Sequence, residues 1–203
     1  MKDSLSHVNN LWCIPNLLSL SRIPLAGLVC LCIHLNSWTA AFVLFILAAI
    51  TDWADGWWAR RYGPQTELGR SLDPLTDKVL IAACFIFLIP VVASGVQPWM
   101  VAVVVIREIL ITALRGLVEA AGQKFPADWF GKLKTVLQCA VLIGVFLQLS
   151  LTANELPGGD SIRLVTLVLL GLMLLATVGS AVQYVLRAIT LLRRPRSAPI
   201  ESP

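Results

Sequence analysis

Thr51-Asp-Trp-Ala-Asp-Gly-Trp-Trp-Ala-Arg-Arg61 runs directly into Tyr62-Gly-Pro-Gln-Thr-Glu-Leu-Gly-Arg-Ser-Leu-Asp-Pro-Leu-Thr-Asp-Lys78, and how these residues are read decides the fold. Asp52 and Asp55 are three apart, so on a helix they share a face. Asp73 and Asp77 are four apart and share one too. Gly63-Pro64 breaks the pattern between the pairs and lets the chain reverse, so that the two acidic faces can meet across adjacent helices. A solvated turn with acidic helix caps would explain Glu67 and Asp73. It leaves Asp52 unexplained, because that residue follows the apolar run from Trp38 to Ile50.

Carboxylates in or near hydrocarbon are expensive, by roughly 2.5–3.5 kcal/mol for an aspartate at mid-helix on insertion scales. Four of them close together also repel. Divalent cations remove both costs, and an oxygen-only ligand set suits magnesium or manganese. Four carboxylates can hold two such ions, the arrangement that clamps the attacking and leaving oxygens in phosphoryl transfer. Gly56, Ala59 and Gly69 lie on or near the acidic faces, where a missing side chain lets a nucleotide approach the backbone. Arg60 adds a planar fork for a phosphate or carboxylate.

Outward from this stretch the chain is apolar. Of its 203 residues 57% are hydrophobic and 14% charged, against about 25% charged in ordinary soluble domains. The mean hydropathy is +0.79. So little polar surface cannot cover a soluble globule, and the expectation is a single membrane domain. Its five cysteines form no CxxC pair and read as small packing residues rather than as disulfides or a zinc site. No cleavable signal peptide is evident.

A spanning helix needs about 20 mainly apolar residues. That ruler gives six candidates, near residues 17–35, 38–60, 74–93, 97–118, 130–150 and 162–188. The expected fold class is therefore all-α: a polytopic membrane bundle of six transmembrane helices, with residues 1–16 as an N-terminal interfacial segment. Pro64, Pro98, Pro126 and Pro157 fall in the connections, where they remove no helix hydrogen bond. Residues 1–192 form the domain, and 193–203 are expected to be a disordered tail.

Basic residues are distributed unevenly over the connections. Arg60, Arg61 and Arg70 lie between spans two and three, with Lys78 just inside span three. Arg115, Lys124, Lys132 and Lys134 cluster around the connection from span four to span five, and Arg193, Arg194 and Arg196 follow span six. The opposite connections carry only Arg163. Both termini and the acidic motif are thus expected on the cytoplasmic side. The net charge of +4 is a topology signal with a pull toward anionic membrane lipid, and no nucleic-acid partner is implied.

The spacing Asp52-x2-Asp55-Gly56-x2-Ala59-Arg60-x8-Gly69-x3-Asp73-x3-Asp77 resembles the signature of the CDP-alcohol phosphatidyltransferase family, with every element and gap matching. Asn16 to Ile23, Ile106 to Arg115 and Gly131 to Thr135 are similar to segments of the bacterial phosphatidylglycerophosphate synthase branch, and the likeness covers most of residues 14–140. What the resemblance implies is a six-helix membrane enzyme, usually a homodimer, in the bacterial cytoplasmic membrane with its site facing the cytoplasm. CDP-diacylglycerol would donate its phosphatidyl group and CMP would leave. Asp52, Asp55, Asp73 and Asp77 would ligate two Mg2+ or Mn2+ ions, Asp77 would also act as general base, and Gly56, Ala59, Arg60 and Gly69 would contact the CDP moiety.

The acceptor in that branch, glycerol 3-phosphate, needs a cationic pocket. Arg107 and Arg115 are eight apart, about 80° around a helix, so one broad face presents both. An arginine as deep as Arg107 is costly unless paired or in water. Glu108, beside it in sequence, is expected to point elsewhere. Lys132 and Lys134 sit near the start of span five and complete the candidate phosphate site, with Arg22 and Lys78 as weaker members. A sister enzyme with another acceptor (phosphatidylglycerol, an inositol phosphate or serine) is the near alternative, and a cation transporter the remote one. His7 and His34 have no catalytic partner in view, and Trp12, Trp38, Trp99 and Trp129 read as interfacial anchors.

Overall fold

The computed structural model describes the backbone of residues 14–62, 67–121 and 129–192, and the side chains of residues 21–51, 78–118, 120–121 and 131–191. The described residues form six α-helices and one short 3-10 turn, with no strand. In chain order these are α1 (Ile14–His34), α2 (Trp38–Tyr62), α3 (Glu67–Leu88), the 3-10 turn Val92–Ser94, α4 (Pro98–Ala120), α5 (Trp129–Ala153) and α6 (Gly159–Leu192). The interfacial segment and the tail proposed from sequence lie outside the described residues.

The helices follow the apolar runs, and their ends have local causes. α3 stops at Leu88 rather than near 93 because Pro90 lacks an N–H and biases the residue before it away from helix. The chain then turns through Val92–Ser94, where Ser94 Oγ donates to the Leu88 carbonyl at 3.2 Å. α3 also begins at Glu67, well before the expected start near 74, so the whole second half of the acidic motif from Glu67 onward is helical. α6 is the longest element, at 34 residues. At 1.5 Å per residue that is about 51 Å, more than a hydrocarbon layer of about 30 Å.

α1 packs against α2 and α3, α5 against α2 and α6, and α4 against α3 and α6. The core between them is apolar and close, including Val29, Phe45, Phe85, Leu142, Val145 and Phe146. The Phe45 and Phe146 rings meet at 5.5 Å between centroids with an interplanar angle of 56°, a tilted arrangement that aromatic pairs favour. α5 and α6 approach especially closely at Gly144: a Cβ there would stand 2.6 Å from Thr166 Oγ1. Large apolar side chains also cover the outside, among them Ile106, Ile109, Leu164 and Leu175. An apolar exterior over an apolar core is the pattern of a protein solvated by lipid.

Two helices, Gly131–Ala153 and Gly159–Leu191, are long and apolar enough to cross a membrane. α4 has the length, but carries Arg107, Glu108 and Arg115. The connections α1–α2, α3–α4 and α5–α6 gather at one end of the bundle. There Gln148 Nε2 donates to the Ala93 carbonyl at 2.6 Å, Thr39 and Ser150 share a hydroxyl–hydroxyl bond at 2.8 Å, and Asn154 Nδ2 donates to Thr39 Oγ1 at 3.2 Å. These are the connections nearly free of basic residues.

Candidate functional site

The acidic motif lies on two helices that share α1 as a packing partner. Asp52, Asp55, Gly56, Ala59 and Arg60 are in the second half of α2, and Gly69, Asp73 and Asp77 are in α3. Each acidic pair lies on helical backbone, at spacings of i, i+3 and i, i+4. The side chains of these eight residues, and the meeting of the two acidic pairs expected from sequence, lie outside the described residues. Among the described residues no group of three or more His, Cys, Asp or Glu comes together. Arg22 is buried on α1.

The cationic candidates are described in full, and they separate into two kinds. Arg107 is buried, at 6% exposure, and so is Lys134, at 4%. Arg115 and Lys132 are exposed. Lys132 and Lys134 are two apart on α5, so their side chains leave the helix about 160° apart, and one of them must face away from what the other meets. Lys134 faces inward.

The residue that joins the buried cations is Glu108. Its carboxylate accepts from Lys134 Nζ in a direct ion pair, from Arg107 Nη1 at 3.2 Å, and stands 3.7 Å from Lys78 Nζ. The sequence expectation that Glu108 points away from Arg107 is therefore corrected. Successive helical residues do diverge by about 100°, but the arginine stem is long and flexible enough to bring one guanidinium nitrogen back to its neighbour. Lys78 Nζ also donates to Thr112 Oγ1 at 2.9 Å, which places α3 against α4 at this level.

Arg107 is held from its other side by α6. Its Nε and Nη2 donate to Ser180 Oγ at 3.2 and 3.0 Å, and Ser180 Oγ in turn donates to the Thr177 carbonyl at 2.9 Å. The guanidinium carbon lies 5.5 Å from the centroid of the Tyr184 ring, within cation–π range. Gly131 makes room for this packing: a Cβ there would stand 3.2 Å from Tyr184 Oη. Sequence reading assigned α6 no part in the site. Ser180 and Tyr184, four apart and on one face of an otherwise apolar helix, were the available signal.

Three helices thus bring Lys78, Arg107 and Lys134 onto one carboxylate, and α6 braces the arginine. Buried charge persists where it is paired and hydrogen-bonded. Among the described side chains three cations, the buried Arg107 and Lys134 and the part-exposed Lys78, meet one carboxylate. Such a site attracts an anion, and a phosphate with several acceptor oxygens suits the arginine fork and the two ammonium groups. Lys78 follows Asp77 in the chain, so the backbones of the cationic cluster and the acidic motif adjoin, about 3.8 Å from one Cα to the next.

The family model for CDP-alcohol phosphatidyltransferases matches residues 12–192. A "probable phosphatidylglycerophosphate synthase" of Mycobacterium tuberculosis is 36% identical over 183 residues, covering 87% of this chain and 81% of the relative. Two proteins called CDP-diacylglycerol–glycerol-3-phosphate 3-phosphatidyltransferase are also similar. The one from Escherichia coli is 38% identical over 138 residues, covering 64% of this chain and 74% of the relative. The one from Bacillus subtilis is 39% identical over 109 residues, covering 53% and 55%.

Proposed function

Because the chain belongs to the CDP-alcohol phosphatidyltransferase family, we propose that it transfers the phosphatidyl group of CDP-diacylglycerol to sn-glycerol 3-phosphate, giving phosphatidylglycerophosphate and CMP. The observation that carries the acceptor is the cluster in which the buried Arg107 and Lys134 and the part-exposed Lys78 meet the carboxylate of Glu108. A phosphate-bearing alcohol suits these three cationic groups, and the names of the relatives agree with that chemistry.

The donor set of Asp52, Asp55, Asp73 and Asp77 suits hard divalent cations. It is all-carboxylate, arranged in two same-face pairs on helical backbone. These four residues would hold two Mg2+ or Mn2+ ions. Bound there, the ions would neutralise the CDP pyrophosphate and stabilise the CMP leaving group. Asp77 would take the proton from the 1-hydroxyl of glycerol 3-phosphate. The hydroxyl oxygen attacks the phosphorus that stays with diacylglycerol, and the bond from that phosphorus to the bridging oxygen breaks, releasing CMP.

Arg107 and Lys134 hold the acceptor phosphate, and Lys78, next to Asp77, ties it to the reacting end. Arg115 and Lys132 stand exposed and draw the anionic acceptor in. Gly56, Ala59 and Gly69 give the cytidine and its phosphates access to the backbone, and Arg60 pairs with a phosphate oxygen. All six helices would cross the bacterial cytoplasmic membrane, with both termini and the site on the cytoplasmic side, and the protein would work as a homodimer.

An acceptor without a phosphate, such as serine, would leave Arg107 and Lys134 with only the Glu108 carboxylate among the described residues and no evident further task. Phosphatidylglycerol and an inositol phosphate also carry phosphate, so they are separated by assay. Purified protein with CDP-diacylglycerol and magnesium should release CMP when glycerol 3-phosphate is added. Release with phosphatidylglycerol or inositol phosphate, and none with glycerol 3-phosphate, would reassign the acceptor. Metal-ion flux into proteoliposomes without CMP release would replace the enzyme reading with a transporter.

A further inference from the structure

Two glutamines are buried on α5, and they differ. Gln148 donates its amide N–H to the Ala93 carbonyl at 2.6 Å, and its orphan atom is the acceptor Oε1, where an unused lone pair costs less than an unused donor. Gln138 is 3% exposed, and its Nε2 is buried with no hydrogen-bond acceptor among the described residues. Buried donors are nearly always paired, and an orphan is a costly feature that calls for an explanation.

Its position supplies one. Gln138 is four residues on from Lys134, so the two side chains share a face of α5, one turn apart. Lys134 belongs to the cationic cluster through Glu108. Beyond Gln138 on α5 come Val141, Leu142 and Val145, all in the apolar core. Gln138 is therefore the last polar group on that face between the cations and the closed interior. The unpaired amide thus sits one helical turn inward from Lys134, next to the cluster rather than in the apolar core.

On the acceptor reading above, on which this inference rests, the cations hold the phosphate of glycerol 3-phosphate. One helical turn is a rise of about 5.4 Å, comparable with the reach from that phosphate to the middle carbon of the glycerol. We infer that Gln138 is a specificity-determining residue of the acceptor pocket, whose amide N–H donates to the C2 hydroxyl oxygen of the phosphorylated triol. The 1-hydroxyl is left free to react, and an acceptor lacking the C2 oxygen leaves the buried amide unpaired. Sites built to bond a substrate hydroxyl discriminate strongly against the analogue without it.

The test compares two acceptors in the full-length protein: glycerol 3-phosphate and 3-hydroxypropyl phosphate, which differs only in the missing C2 hydroxyl. Wild-type kcat/KM should favour glycerol 3-phosphate by on the order of tenfold. Gln138→Met, close in size and without the donor, should remove most of that preference while the KM for CDP-diacylglycerol stays unchanged. Gln138→Leu, which also lacks any donor or acceptor, carries the same test should the methionine variant not fold. A wild type that treats both alcohols alike, or a variant that keeps the full preference, would overturn the role of Gln138 and leave the acceptor reading standing. CMP release from neither alcohol in the wild type would overturn both.

Discussion

Arg107 is the residue at which the chemistry of the site is most exposed to test. Its guanidinium is shared between Glu108, Ser180 and the Tyr184 ring, so it is oriented before any substrate arrives, and orientation is what a bidentate phosphate contact needs. Arg107→Ala should raise the KM for glycerol 3-phosphate by on the order of tenfold or more, the worth of a charge-assisted hydrogen bond. The KM for the CDP-lipid should barely move, and an equal rise in both would remove Arg107 from a dedicated acceptor pocket. Asp77→Asn keeps shape and volume but can neither take a proton nor ligate as an anion. CMP release should fall by about a thousandfold or more, while the protein still inserts and purifies as a folded species. Wild-type turnover in that variant would exclude Asp77 as both base and ligand. The charges of Arg107 and Lys134 were legible in the sequence because charge in an apolar run is conspicuous. Their common partner was not, because helical phase says which way a backbone position faces and not where a long side chain bends.

Between helices, the close seam is that of α5 with α6. Gly144 lets Thr166 approach, with Thr166 Oγ1 turned back to the Ile162 carbonyl at 2.8 Å, and nearer the site Gly131 admits Tyr184. Small residues at such contacts are how helices in lipid approach closely enough to pack. Gly144→Ala should lower the thermal midpoint in detergent, since overpacking a tight contact costs about 1–3 kcal/mol. Thr166→Ala added to it should restore most of the loss, because it removes the atom that the new methyl would meet. Additive losses in the double variant would show that the two positions are not in contact. Helix positions followed from apolar run length and from proline. The seam did not, because a glycine in a helix looks the same in sequence whether a neighbour is close or open space surrounds it, as it does Gly116 and Gly171.

At the scale of the molecule, the turn-bearing end tied by Gln148, Thr39, Ser150 and Asn154 is the end whose connections are nearly without basic residues. The second half of α2 and the first half of α3, whose backbone carries the acidic motif, lie toward the other. That polarity, together with the proposed ions, predicts how the assembled enzyme fails: EDTA should abolish CMP release, and Mg2+ or Mn2+ should restore it. Activity that survives exhaustive chelation would remove the metal from the mechanism. By itself the sequence determined the helical class, the approximate helix ends and the aspartate spacing, because length, periodicity and proline chemistry act within a few residues of the chain. Only the tertiary structure decided which charges meet. Lys78, Arg107, Glu108, Lys134 and Ser180 come from four helices, and their pairing depends on packing between elements far apart in the chain, which no local pattern encodes.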